Sequence, residues 1–203
     1  MLAAVVHGFL LAFGLILPLG VQNTFVFTQG ALHRRWAGAL PSVLTAAACD
    51  TLLITLAVSG LSLVVLAVPW FQSALSWVGV AFLLYMGWAT WRTEPATENA
   101  AEEWPARRQI TFAASVSLLN PHAILDTVAV IGTNSLSYTG APRLGFALAC
   151  IGVSWLWFLG LATAGYLLGI SAGGLSLRRW LNRISALIMW GVAVQLVLTV
   201  IGR

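Results

Sequence analysis

The sequence predicts an all-α integral membrane protein in which six transmembrane helices form two three-helix repeats of inverted topology, with Pro-broken helices 1 and 4. Composition is the first observation: 60% of the 203 residues are hydrophobic and 8% are charged, whereas about 25% of residues are charged in an average soluble domain. The second is the length of the uncharged runs, since no Asp, Glu, Lys or Arg occurs in residues 1–32 or 51–91. The third is a weak internal repeat whose halves each carry a proline inside an apolar run.

The apolar runs divide into six segments, each long enough for the roughly 20 residues that a membrane-crossing helix needs. Joints containing charges, Gly or Pro separate them. The predicted spans are residues 2–32 (interrupted at Pro18), 37–59, 66–91, 109–133, 143–170 and 177–201. We expect one transmembrane domain over residues 1–203, with repeat 1 at about 1–91, a cytoplasmic loop at about 92–108 and repeat 2 at about 109–203.

The distribution of arginines predicts the orientation of the spans. All ten basic residues are arginines; eight lie in the first, third and fifth joints and two on the opposite side. Under the positive-inside rule the odd joints face the cytoplasm, so both termini face outward. This distribution accounts for the net charge of +4 without a nucleic-acid partner. The eight are Arg34, Arg35, Arg92, Arg107, Arg108, Arg178, Arg179 and Arg183, and the two are Arg143 and Arg203.

The internal repeat becomes visible when the chain is shifted by 103 residues. Its matches include unusual positions, namely a proline inside a span followed five residues later by a polar side chain. A repeat of three spans forces the second half to enter the membrane from the other side, as in many secondary transporters. The shift pairs Pro18 with Pro121, Asn23 with Asp126, Thr24 with Thr127, Trp77 with Trp180 and Met86 with Met189, and it places Asp50 on Val153.

Two carboxylates, Asp50 and Asp126, lie inside predicted spans, whereas the four glutamates lie in the third joint. An ionised carboxylate at the bilayer centre costs at least about 2.5 kcal/mol, so such a group normally faces a cavity or a partner. We therefore predict that both aspartates take part in function. The alternative is that each lies near the headgroups or is neutralised by protonation.

The two prolines predict breaks in the first and fourth spans. Proline removes a backbone donor and frees carbonyl groups, which inside a membrane need protein, substrate or cavity water as partners. Pro18 and Gly20 should let a half-helix begin near Val21, whose free N–H groups suit a carboxylate. The amide and imidazole side chains beside the breaks are predicted to add hydrogen bonds, the alternative being a tolerated kink whose amides satisfy each other. These side chains are Gln22 and Asn23 at the first break and Asn120 and His122 at Pro121.

Residues typical of metal, haem or enzyme sites form no recognisable pattern. Cys49 and Cys150 lie in apolar stretches, and the three histidines lack ligand spacing, so we predict no metal and no cofactor. Ser-His-Asp spacing, HExxH and paired catalytic carboxylates are absent from the sequence, which argues against an enzyme. Gly165 and Gly169, four residues apart, predict a helix-packing face.

Four stretches resemble the LysE family of amino-acid exporters, in particular its lysine and arginine branch. They keep the order and spacing of that family's motifs over nearly the whole chain. One departure is Val21, which stands where the family commonly has Pro, so we expect a shallower unwinding there. The stretches are ILPLGVQNTFVFTQGALHRR, CDTLLI, SWVGVAFLLYMGW and LNPHAILDTVAVIG.

The resemblance implies a six-span carrier of the bacterial inner membrane, dimeric, that exports L-lysine or L-arginine. A proton or a sodium ion would move in exchange, because exporting a positive charge against an inside-negative potential costs about 2.3 kcal/mol per 100 mV. Two alternatives stay open. One is an exporter of a neutral amino acid or a small cation on the same scaffold; the other is a non-transporting membrane subunit.

Overall fold

The fold is helical throughout the part of the chain that the computed structural model describes, residues 1–17, 20–60, 69–92, 103–119, 124, 126–171 and 175–201. The helices coincide with the predicted spans to within a few residues. In chain order they are α1 (Leu2–Ile16), α2 (Val21–Leu32), a 3-10 helix (Trp36–Ala39), α3 (Leu40–Ser59), α4 (Pro69–Arg92), α5 (Ala106–Leu119), α6 (the π-helical Asp126–Gly132 with the turn Thr133–Ser135), α7 (Ala141–Ser171) and α8 (Leu175–Ile201).

Among the described residues, two helical segments are long and apolar enough to cross a membrane on their own. These are Trp36–Ser59, with a mean hydropathy of 1.7, and Ala141–Ser171, with a mean hydropathy of 2.0. The bent pair α1 and α2 adds a third if it counts as one broken span. An all-helical chain with apolar spans agrees with the predicted fold class, while six crossings in inverted repeats stay a prediction.

The first predicted span is divided into two helices whose axes differ by 80°. α1 ends at Ile16, and α2 begins at Val21 after Gly20, whose backbone is extended (φ −81°, ψ −177°). Pro18 falls in this gap, outside the described residues, as Pro121 does in the gap between α5 and α6. The bend is large although Val21 replaces the family's proline, and Val21 is instead the buried first residue of α2.

α7 lies at the centre of the helix packing. It contacts α1, α2 and α3, while α3 also packs against α5 and α6. The remaining long helices, α4 and α8, pack against each other, and α8 also contacts α2. α3 therefore contacts both α7 and α2, and these three helices meet at one place.

Glycines bring the backbones of α2 and α7 into direct contact. A methyl group on Gly165 would overlap the carbonyl of Phe27, and one on Gly169 would overlap the carbonyl of Ala31. A methyl group on Gly30 of α2 would likewise overlap the carbonyl of Ala162 in α7. The predicted packing face of Gly165 and Gly169 is confirmed, and α2 is its partner.

Candidate functional site

Asp50 lies in the middle of α3, as its eleventh residue out of 20. The helix has Pro41 in its first turn, where a missing N–H costs nothing, and ends at Gly60, whose positive φ of 83° terminates it. Between these signals the sequence is apolar except for small hydroxyl residues and Asp50. The carboxylate is partly buried, so it faces protein rather than open solvent.

Both oxygens of the Asp50 carboxylate accept hydrogen bonds from other helices. Gln22 Nε2 in α2 donates to Oδ1 at 3.3 Å, and Ser154 Oγ in α7 donates to Oδ2 at 2.9 Å. Ser154 is buried, with 4% of its surface exposed. Because a carboxylate offers about four lone-pair positions, two protein donors leave room for an ammonium or guanidinium group.

The start of α2 provides backbone donors next to Gln22. The first helical hydrogen bond runs from Thr24 N to Gly20 O at 3.0 Å, so the N–H groups of Val21 and Gln22 precede the hydrogen-bonded ladder of the helix. Gly20 has no side chain to cap them. This end of α2 therefore carries the positive end of the helix dipole, beside the carboxylate that Gln22 contacts.

Asn23 closes the break between α1 and α2. Its Nδ2 donates to the backbone carbonyl of Ile16, the last residue of α1, at 2.7 Å, and the side chain is 6% exposed. Thr24 Oγ1 returns to Gly20 O at 2.9 Å. The bond from Asn23 gives a donor to a carbonyl at the end of α1, whereas Gly20 O accepts from both the backbone and the side chain of Thr24.

Of the residues predicted at the second break, Asn120 and His122 lie outside the described residues. Asp126 is the first residue of the π-helical part of α6, and its side chain is not among those the structure describes. α6 packs against α3, the helix that carries Asp50. A π-helical segment at this place is notable because such segments occur frequently at functional sites.

Comparison with known proteins identifies the family. The family model described as "LysE type translocator" matches residues 13–199. The chain belongs to the LysE family. The resemblance inferred from the four sequence stretches is therefore confirmed.

Individual relatives in the LysE family cover nearly the whole chain. A protein of Bacillus subtilis (strain 168) named "Putative amino-acid transporter YisU" is 52% identical over 94% of this chain and 87% of its own length. The "Arginine exporter protein ArgO" of Enterobacter sp. (strain 638) is 35% identical over 97% of this chain and 94% of its own. The protein of that name from Salmonella newport (strain SL254) is 35% identical over 94% and 91%. No solved structure matches the chain.

Membership in the LysE family establishes the broad class of the protein. It is an integral membrane protein of the bacterial inner membrane, and the family consists of transporters. Its relatives support amino-acid export. The Asp50 site lies within the matched residues.

Sequence reasoning did not single out Ser154 and Thr51, which lie at the candidate site around Asp50. Thr51 Oγ1 accepts a hydrogen bond from Trp155 Nε1 at 3.1 Å, beside the contact between Ser154 and Asp50. The indole of Trp155 thus joins α7 to α3 as a donor. The 103-residue repeat was the one feature of the sequence that pointed toward Ser154, because it pairs Asp50 with the neighbouring Val153.

Proposed function

We propose that this LysE-family protein exports basic L-amino acids, arginine or lysine, from the bacterial cytoplasm. The observation that carries the proposal is the carboxylate of Asp50, half-way along an apolar helix and held by Gln22 and Ser154. A carboxylate inside a membrane protein is costly unless it serves a partner, and a cationic side chain is the partner it fits best. Relatives at 35% identity that are named arginine exporters support this choice.

The two ends of a basic amino acid have complementary groups around Asp50. A guanidinium or ammonium group suits the remaining lone pairs of the Asp50 carboxylate. The α-carboxylate suits the positive end of the helix dipole at the start of α2, assisted by the Gln22 side chain. We propose that Asn120, His122 and Asp126 complete the site from the second break, and that Asn23 serves by holding the first break in shape.

The helix contacts support the proposal of two inverted repeats. In that arrangement α1 and α2 correspond to α5 and α6, α3 corresponds to α7, and α4 corresponds to α8. The contact of α1 and α2 with α7 then has its counterpart in the contact of α5 and α6 with α3, and both contacts occur. Exchanging the two repeats swaps α3 with α7 and α4 with α8. The contact between α3 and α7 and the contact between α4 and α8 are therefore each their own counterpart, and both occur. This pattern fits alternating access around a site between the repeats.

Export of a positive charge requires a driving ion. Moving one charge outward against an inside-negative potential costs about 2.3 kcal/mol per 100 mV. A proton or a sodium ion that moves inward in exchange offsets this cost. Asp50 could carry a proton, because the same carboxylate can bind either a proton or a substrate cation.

The proposed function is tested with purified protein in liposomes, using a panel of labelled amino acids. We expect movement of arginine or lysine that responds to an imposed pH or sodium gradient, applied separately, and little movement of neutral amino acids. Liposomes without protein serve as the control for leak. Arginine and lysine movement no faster than in that control would contradict the proposal.

The same panel distinguishes the remaining candidates. Selective movement of a neutral amino acid or a small inorganic cation would show that the scaffold is shared and the substrate is different. Absence of movement for every compound, from protein that is monodisperse and inserted, would favour a non-transporting membrane subunit.

A further inference from the structure

A second polar pocket lies near the C-terminal end of α2, away from Asp50. Its polar lining comes from Thr28 and Gln29 of α2, Thr90 of α4, and Asn182 and Ser185 of α8. We call it the Gln29 pocket. The space that a water-sized sphere can occupy in it is about 20 Å³, enough for about one water molecule or small ion.

The Gln29 pocket is separate from the Asp50 site. Gln22 and Gln29 are seven residues apart, so they lie on the same face of α2 and are separated by about 10 Å along its axis. Val26 lies between them on that face and is fully buried. Beside it, the ring of Phe25 packs 4.2 Å from that of Phe112. An apolar layer thus divides the two polar sites.

Two buried oxygens in the Gln29 pocket lack a hydrogen-bond partner among the residues that the structure describes. These are Gln29 Oε1, on a side chain that is 2% exposed, and Thr90 Oγ1, on one that is 8% exposed. Two further oxygens of the lining, Thr28 Oγ1 and Ser185 Oγ, are hydrogen-bonded to each other at 3.2 Å. Leaving a buried polar atom unsatisfied costs about 1–3 kcal/mol, so a ligand that contacts these oxygens would remove this cost.

The electrostatics of the Gln29 pocket favour a cation. Thr28, Gln29 and Leu32 belong to the last two turns of α2, where the helix dipole is negative. No charged side chain is among the described residues that line the pocket. Two arginines lie beside lining residues: the guanidinium of Arg108 is 3.9 Å from the ring centroid of Trp104, and that of Arg183, next to Asn182, is 5.6 Å from the ring centroid of Trp91. Both side chains are exposed, so solvent screens their charges.

We propose that the Gln29 pocket binds a sodium ion through neutral side-chain oxygens. Ends of half-helices and neutral oxygens coordinate sodium in other secondary transporters with broken helices. The small volume suits a single ion and excludes a guanidinium group with its methylene chain. The role of this ion in driving export rests on the proposed function, whereas the site itself can be tested without any amino acid.

The test measures saturable binding of radiolabelled sodium to the purified protein in lipid nanodiscs. We expect unlabelled Na⁺ to displace the label far better than K⁺ at equal ionic strength. Gln29→Leu and Thr90→Val should each lower the affinity at least tenfold, whereas Gln29→Glu should raise it because a carboxylate replaces an amide oxygen. Thr111→Val is the matched control, since Thr111 is exposed and bonds to its own helix.

Three outcomes would overturn the sodium site. The first is that the wild-type protein shows no saturable sodium binding. The second is that the sodium affinity is unchanged in both Gln29→Leu and Thr90→Val. The third is that K⁺ displaces the label as effectively as Na⁺. If Gln29→Leu fails to fold, Thr90→Val and Gln29→Glu decide the question by their opposite directions. Because no amino acid is present, a negative result here leaves the export proposal standing, and a failed export assay leaves a positive sodium result standing.

Discussion

Ser154 of α7 donates a hydrogen bond of 2.9 Å to Asp50 of α3, across 104 residues of sequence. The bond joins the two segments that, within the described ranges, are long and apolar enough to span a membrane alone. It fixes one oxygen of the carboxylate and leaves the other to Gln22 of α2. The orientation of the most unusual side chain in the membrane-spanning part is therefore set by two different helices.

Replacing Asp50 by Asn should abolish export of arginine and lysine. The substitution keeps the shape and removes the charge that a cationic substrate or proton needs. The measurement is the amount of labelled arginine moved in liposomes, with the amount of inserted protein determined in parallel. Glu103→Gln, at an exposed residue that bonds to the backbone of Arg34, controls for loss of a carboxylate elsewhere. Wild-type rates in Asp50→Asn would refute the role given to this residue.

Ser154→Ala should weaken transport without unfolding the protein. Loss of a hydrogen bond to a charged group costs about 1.5–3 kcal/mol, which corresponds to a change of roughly 10- to 100-fold in an equilibrium constant. Since Ser154 positions the carboxylate, we expect the KM for arginine to rise and the melting temperature to change little. Ser171→Ala is the control, because that exposed hydroxyl bonds only within α7. An unchanged KM would mean that Gln22 alone orients Asp50.

Asp126→Asn should also abolish export, a prediction that rests on the sequence. Asp126 is paired with Asn23 by the predicted 103-residue repeat and begins the π-helical segment of α6. The same liposome assay applies, with Thr133→Val, at an exposed residue further along α6, as the control. Export at the wild-type rate in Asp126→Asn would remove this residue from the site.

Gly165→Ala should destabilise the protein, whereas Gly160→Ala should not. A methyl group at Gly165 overlaps the backbone of Phe27, and overpacking of this kind costs about 1–3 kcal/mol. Gly160 has nothing within 4 Å of an added methyl group, so there the higher helix propensity of Ala, worth up to about 1 kcal/mol, should dominate. Thermal unfolding in detergent measures both variants. Equal melting temperatures would contradict the close packing of α2 on α7.

The sequence predicted those features that local chemistry determines. The helix bounds follow from apolar runs and their Gly and Pro joints, and Asp50 stands out because charge is rare in such runs. Ser154 could not be found in this way, since a serine inside a span is ordinary and its partner is 104 residues distant. The Gln29 pocket also depends on tertiary packing, because its lining comes from α2, α4, α5 and α8 and from Trp104 before α5.

The glycine contacts between α2 and α7 limit how the molecule can move. Where Gly30, Gly165 and Gly169 bring backbone against backbone, no layer of side chains remains that could change rotamer and let the helices slide. We therefore expect α2 and α7 to travel as one rigid body when the site changes the side to which it opens. Displacement should occur at interfaces built from side chains, such as that between α4 and α8, where Trp190 packs on Trp91. Spin labels on α2 and α7 should accordingly keep one distance through the transport cycle, while a pair across α4 and α7 should not.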